Sequence, residues 1–534
     1  MNIHPSIKKI SSIHIGTGLC ILFAIALWLY GINDPYVGSY NANNNYLTLA
    51  AKNYLRFGVG TLSTLPTYFA GYPLPSRPEF YLHHPYFFFL VNTIAFYMFG
   101  FSNWVVHVFP FLFSLGTVAV TYLLVRRVFG VRIGVLFACI SLCLPASVLF
   151  WKFMMFEQSS LFFVMTTMYV YIRYRETGKT RYLWYGGITS FLAASFDWYG
   201  AYALFAFIVA LLWNKKTRTR RFFLVYVVGV CIALFGFLAI IFVVKGNFAD
   251  IWSAVSVRAV SNELFALSWW PVRYAILMGI RSIVYFSPLI LLPILRRSKL
   301  PGPSQSVFSD ERTLVYILFG SIGILNCIVL PTATWGHSYF LYPFIPYVAL
   351  ALAVPISRYR VKIQMICIVA LVLWSALVQK GKYEQIHTLY WKFDAAKTVA
   401  ARIRPYEPVG TVDFPGDVFE QYFLHPSVPM ELPDVALWIQ GKTHREVRTV
   451  VISCYGACPG NRNDVINRYR KSGIPFYTLG SGNRAFWVFS KQDSKQYTIP
   501  DERKNSDGNV QKDSGIWYIR MYRVIRNILG VVQI

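Results

Sequence analysis

Four carboxylates stand where apolar runs give way to polar chain: Asp34, Glu79 in the following loop, Glu157 in WKFMMFEQSS and Asp197 in SFDWYG. A carboxylate held at such a border can take a proton from a hydroxyl, and a positioned base of this kind contributes roughly 10²–10⁴ to a rate. The plain alternative is that an acid at a span end is solvated or caps the next helix. That reading suits any one of them better than all four together.

Cationic and hydrogen-bonding groups accompany the acids. His83 and His84 are adjacent in YLHHPYFFFL, where an extended stretch with a proline meets an apolar run. They could donate to a phosphate or bind a metal. Lys52 and Arg56 in LTLAAKNYLRFG are four residues apart, so a helix would put them on one face. There they could touch lipid phosphate or extend their heads to the membrane surface. Arg258, Arg273 and Arg281 fall between residues 245 and 281, and His337 sits in TATWGHSYFLYPFIP.

The elements that position these groups are membrane spans. The chain has 534 residues, 55% hydrophobic and only 14% charged, more apolar surface than a soluble protein of this size could hide. Apolar runs occur at 14–32, 104–125, 130–150, 158–172, 183–196, 199–213, 222–244, 282–295, 313–330, 339–356 and 363–379. The first lacks a small-residue cleavage site and reads as an uncleaved span. Basic clusters separate the runs: Lys8/Lys9, Arg126/Arg127/Arg132, Arg173 to Arg181, Lys215 to Arg221, Arg296 to Lys299, and Arg358 to Lys362. Placing every cluster in the cytoplasm gives an alternation that closes from residue 104 onward. The loop 33–103, the turns near 151–157, 197–198, 245–281 and 331–338, and the chain after 380 then face outward. The apolar segment 85–101 fits this scheme only as a re-entrant or interface-lying helix. About eleven crossings follow, or about thirteen if 85–101 and part of 258–281 both cross. The expectation is a multi-pass protein of the plasma membrane, N-terminus cytoplasmic and C-terminal domain extracytoplasmic.

Charge excludes little else. The 51 Lys and Arg against 24 Asp and Glu would suit nucleic acid, but their clustering between apolar runs is that of membrane topology. No nucleic acid partner is expected. Cys454 and Cys458 in CYGACPG could form a zinc half-site, but no second pair at metal spacing follows, so a local disulfide or two free thiols is the better reading. No metal is assigned and cofactor use stays open. After residue 380 the hydropathy falls. VGTVDF (409–414), TVVISCYG (449–456) and the 475–490 segment read as strands, with helices at DVFEQYFL and NDVINRYRKSG between them. Residues 381–490 thus form a small α/β outer domain after a membrane domain of 1–380. Residues 491–534 form a linker and an amphipathic C-terminal helix.

The runs GSYNANNNYLTLAAKNYLRFG and YLHHPYFFFLVNTIAFYMFGFSNWVVHVFPFLFSLGTVAVTYLLVRRVFG resemble the N-terminal module of GT-C glycosyltransferases. The nearest kin are of the protein O-mannosyltransferase and aminoarabinose transferase type. The likeness covers roughly residues 14–200, with an echo at HSYFLYPFIP. It implies a GT-C-like helical fold and an inverting transferase that uses a polyprenyl-phosphate sugar, with an acid of the first outer loop as base. Asn41 stands where the relatives carry an Asp, so the base role moves to Asp34, with Glu157 and Asp197 as rivals. Tyr86 replaces the second Pro of the usual His-Pro-Pro, and His107 stands where an Arg is expected.

The function expected is transfer of a sugar from a polyprenyl-phosphate donor to a hydroxyl of a glycan, lipid or protein on the outer face. Asn41, Lys52, Arg56, His83, His84, His107 and His337 are the substrate-binding candidates. Two other readings stay open: a non-catalytic protein of the same architecture that binds lipid-linked glycans, and a polytopic transporter. Transporters hold ionisable groups near mid-span, whereas the acids here cluster at the outward ends.

Overall fold

The computed structural model describes residues 41–151, 153–213, 217–259, 269–291, 310–387, 390–412, 426–430, 442–444, 446–453, 476–479 and 486–491, most of 18–33, and isolated positions besides. Among these residues, five helices are long and apolar enough to cross a bilayer: Asn103–Phe129, Thr219–Lys245, Glu311–Val329, Ser338–Ile356 and Val361–Gly381. Other helices, among them Phe156–Thr177, fill the bundle between them.

Local chemistry sets where helices stop. The apolar run 130–150, read from sequence as one span, is two helices, Val131–Cys143 and Pro145–Phe150, with Leu144 extended between them. Pro145 explains the break, because proline pushes the residue before it out of the helical region. The stretch 245–281, read as a loop, contains helix Ala249–Ala259 and the start of helix Trp270–Phe286. That second helix ends at Ser287, whose φ is 80°, just before Pro288. Residues 282–291 of the expected span 282–295 are therefore the end of one helix followed by a short 3-10 turn, Pro288–Leu291, and 292–295 lie outside the described residues.

Helix Phe87–Phe99 has 13 residues. At 1.5 Å per residue it is about 20 Å long, less than the roughly 30 Å of a hydrocarbon core. One face buries Phe88, Phe89, Asn92 and Phe96, and it packs on helix Asn41–Phe57. Ile94, Tyr97, Met98 and Phe99 stay exposed on the other side.

The bundle centre is close-packed. Helix Arg181–Phe196 lies against both Phe156–Thr177 and Thr217–Lys245. Gly229 permits the second contact, since a Cβ there would stand 2.2 Å from Ser190 Oγ. Gly200 permits the tight reversal after Phe196, since its Cβ would meet the Ala194 backbone nitrogen at 2.4 Å. That reversal carries Asp197.

The C-terminal part forms a five-stranded mixed sheet of β1 (Val409–Val412), β2 (Ser427–Pro429), β3 (Thr449–Ser453), β4 (Phe476–Leu479) and β5 (Phe486–Ser490). Their order is β2-β1-β3-β5-β4. β1 runs parallel to β2 and β3, and β5 runs antiparallel to β3 and β4. β2 gave no sequence signal: it has three residues and ends on Pro429, which an edge position tolerates. The helices expected at DVFEQYFL and NDVINRYRKSG, both cysteines of CYGACPG and the chain after 491 lie outside the described residues.

Candidate active site

Three elements converge at one end of the bundle. The first is the extended stretch before helix Phe87–Phe99, which carries His83 and His84. The second is the start of helix Phe156–Thr177, which carries Glu157. The third is the reversal at Asp197. Helix Ala249–Ala259 adds Arg258.

The start of helix Phe156–Thr177 is held by its own third residue. Gln158 Nε2 donates to the carbonyls of Phe150 and Phe153, both at 2.8 Å, and Gln158 Oε1 accepts from Met155 N–H at 3.2 Å. All three bonds go to backbone just before the helix, the end of helix Pro145–Phe150 and the turn that follows, so the start that carries Glu157 is anchored there. Asp197 ends helix Arg181–Phe196 in extended conformation. Its Oδ1 accepts from Trp198 N–H at 2.7 Å and lies 2.8 Å from His84 Nδ1. Trp198 Nε1 donates to the His83 carbonyl at 2.9 Å, which fastens the outer loop to the bundle a second time. The His84 ring stacks on Phe156, centroids 4.3 Å apart, and the Tyr81 ring lies 5.9 Å from His84 and 6.2 Å from Phe156.

These contacts fix the imidazole chemistry. Burial, with the Arg258 charge adding, holds His84 well below the usual histidine range, so it is neutral at pH 7. The contact with Asp197 is then a hydrogen bond from Nδ1–H to the carboxylate, not an ion pair, and Nε2 keeps its lone pair. Arg258 donates a guanidinium N–H to His83 Nδ1 at 3.3 Å. His83 is pulled down to about 4 by burial, then by Arg258 and His84, with Asp250 opposing. Its proton accordingly sits on Nε2, which remains a donor. The two neighbouring histidines thus present opposite faces, one acceptor and one donor.

Burial pushes the Asp197 carboxyl up, against the pull of the Trp198 N–H and of Arg258. Burial pushes the Glu157 carboxyl, 4% exposed, up, with the Asp197 charge adding and Arg258 opposing, so it holds a proton more tightly than a free carboxylate would. No side chain among the described residues hydrogen-bonds its carboxylate, and its own backbone N–H acts on it. Tyr199, which also feels both acids, has a buried hydroxyl with no partner among the described residues. Orphaned hydroxyls are rare in a folded core, and this one lies beside two carboxylates.

The other sequence candidates lie elsewhere. Asp34 is outside the described residues. Asn41 opens helix Asn41–Phe57. Lys52, buried on that helix, has its ammonium 3.3 Å above the Phe101 ring. Burial, with Arg56 adding, draws its pKa down to about 7. Arg56 shares the helix but reaches a different surface. It donates to Asn53 Oδ1 at 2.8 Å and to the Gly71 carbonyl at 2.7 Å, and lies over the Tyr406 ring at 5.2 Å. It joins the outer loop to the chain that leads into the sheet. His107 is buried in the first turns of helix Asn103–Phe129. His337 follows helix Pro331–Gly336, and both Arg281 and Arg258 act on it. Arg273 lies on helix Trp270–Phe286. Glu79 is exposed, and its carbonyl accepts from Thr67.

Sequence reasoning ranked Arg258 low and missed Gln158, Trp198 and Tyr199. The first two flank the acids in the chain, a visible signal. Tyr199 had none, because an aromatic at a span end is commonplace. Among the described residues no group of three or more His, Cys, Asp or Glu is placed to hold a metal ion.

Comparison with known proteins agrees with this architecture. Residues 83–242, which include His83, His84, Glu157 and Asp197, match the sequence profile of the dolichyl-phosphate-mannose-protein mannosyltransferase family. Among curated proteins, none matches the sequence. The crystal structure of ArnT from Cupriavidus metallidurans in the apo state superposes with a TM-score of 0.59 at 13% identity, over 89% of this chain and 98% of that one. The same protein bound to undecaprenyl phosphate gives 0.61 at 14% identity, with the same coverage. The chain is therefore an integral membrane protein of the GT-C-like fold.

Proposed function

We propose that this chain is a glycosyltransferase that moves a sugar from a polyprenyl-phosphate donor to a hydroxyl acceptor on the outer face of the membrane. The observation that carries the reading is the juxtaposition of Glu157, Asp197, His84, His83 and Arg258 at one end of the bundle. A fold shared with a protein that binds undecaprenyl phosphate supports the donor class.

Each group has a part. Glu157 takes the proton of the acceptor hydroxyl. The acceptor oxygen bonds to the anomeric carbon as that carbon's bond to the phosphate oxygen breaks. The leaving polyprenyl phosphate takes the electron pair and is held by Arg258 and by His83 Nε2–H. A single displacement inverts the anomeric centre. Asp197 orients His84 through Nδ1, leaving Nε2 to accept a hydrogen bond from a sugar hydroxyl. Asp34 is the rival base, as the acid nearest the first span.

Transfer from a radiolabelled undecaprenyl-phosphate sugar by the purified protein in nanodiscs, with cell-envelope extract as acceptor, is the direct test. Donor binding without turnover under all acceptors would favour the non-catalytic reading, to which Asn41 at the usual acid position lends weight. Binding of neither donor nor lipid phosphate would sink both.

The side of the membrane rests on the basic clusters. In intact cells, after reduction, an impermeant thiol reagent is expected to label Cys454 or Cys458. Labelling only after lysis would place the site in the cytoplasm.

A further inference from the structure

Arg281 is a charged residue inside the bundle that the reaction above does not use. It is 7% exposed, on helix Trp270–Phe286. Its one hydrogen bond among the described residues goes to the carbonyl of Thr334, and no carboxylate pairs with it there. Its remaining nitrogens have no hydrogen-bond partner among the described residues. A carbonyl alone would be served by a neutral donor. A buried positive charge with no counter-ion among the described residues is costly, and such residues mark substrate and ion pathways.

The surroundings give the charge an address. Helix Ala249–Ala259, with Arg258, and helix Trp270–Phe286, with Arg281, both pack on the short helix Pro331–Gly336. His337 follows that helix directly, and both guanidinium charges bear on it. Tyr274 joins the same segment, its hydroxyl 2.5 Å from Thr334 Oγ1 and 3.3 Å from the Cys327 carbonyl. Two helices that each carry an arginine thus pack on one segment, and His337 follows that segment directly.

We propose that Arg281 and His337 form a second anion position beside the Arg258–His83 position, and that it takes a phosphoryl group. The inference rests on the transferase reading for the first position only. The phosphoryl group has two possible sources: the second phosphate of a polyprenyl diphosphate, or a phosphate on the acceptor.

Binding to the full-length protein in nanodiscs separates the sources, with undecaprenyl phosphate, undecaprenyl diphosphate and phenyl phosphate as probes. If the group belongs to the lipid, wild type binds the diphosphate about tenfold or more tightly than the monophosphate. Arg281→Gln then erases that preference and leaves monophosphate affinity unchanged. If it belongs to the acceptor, wild type does not distinguish the lipids. Phenyl phosphate then binds the monophosphate-loaded protein, and Arg281→Gln abolishes this second event. Arg281→Lys, which keeps the charge, is expected to retain part of either signal, so a folding defect in the Gln variant is recognisable. Arg281→Gln that matches wild type with all three probes, while still binding undecaprenyl phosphate, overturns the proposal. Failure of wild type to bind undecaprenyl phosphate removes the donor reading instead, and the Arg281 position is then decided by phenyl phosphate alone.

Discussion

Glu157→Gln is expected to lower kcat by about a hundred- to ten-thousand-fold while the protein still folds and binds donor. Gln keeps the length and polarity of Glu and removes its basicity. The substitution leaves the bonds made by Gln158 untouched, so the start of the helix should not move. Donor KM should change little, because Glu157 acts on the acceptor proton. Asp197→Asn is the instructive companion. Burial raises the Asp197 carboxyl above its ordinary range, so the folded state prefers it protonated. Stability from that preference is full below the ordinary carboxylate pKa and is lost as pH rises through the raised value. Thermal unfolding of the wild type should therefore weaken with pH across that window. In Asp197→Asn this dependence should shrink to the part that the buried Glu157 contributes, with unfolding at neutral pH no easier than in wild type. Asn still offers His84 an acceptor oxygen, so activity should fall less than in Glu157→Gln. Near-normal turnover in Glu157→Gln, with loss in Asp34→Asn, would move the base to Asp34 and leave the transferase reading intact. If neither acid matters in a working assay, the mechanism fails.

Arg258→Gln should lower kcat/KM by about a hundred- to a thousand-fold, the usual cost of removing one donor that meets charge developing in a transition state. The loss should appear in kcat with donor analogues that already carry full phosphate charge, and in donor affinity as well. Both follow because Arg258 bonds His83 and its charge acts on His84 and the two acids. His83→Ala should give a smaller loss in the same direction, since it removes the Nε2–H donor but leaves the charge. His84→Ala should act differently, disturbing Asp197 and the seat of the loop on Phe156. Arg258→Gln with unchanged donor kinetics would show that the phosphate lies elsewhere, and Arg281 would be the next cation to test.

The class of the protein was legible in the chain alone. Long apolar runs can exist in number only if lipid covers them, and short basic clusters between the runs carry the expected topology. The strands β1, β3, β4 and β5 were legible from alternation and turn residues, while β2 was too short to stand out. Where Pro145 and Pro288 cut apolar runs, hydropathy averaged over a window hid the break, because a single backbone restriction adds little to a sum over many side chains. The candidate residues were legible as types at span ends. Which of them meet was not. His84 and Asp197 are 113 positions apart, and Arg258 is 175 from His83. Their approach depends on Gly200 admitting a tight reversal, on Gln158 holding an irregular turn, and on Trp198 fastening a loop carbonyl. Lys52 and Arg56 show the converse: one helix face is readable from a spacing of four, but only packing sends one cation to Phe101 and the other to the Gly71 carbonyl and Tyr406. Periodicity is a property of neighbours in the chain, so it determined the membrane and the helices. The partners of each charge belong to elements distant in sequence, and tertiary packing alone decided those.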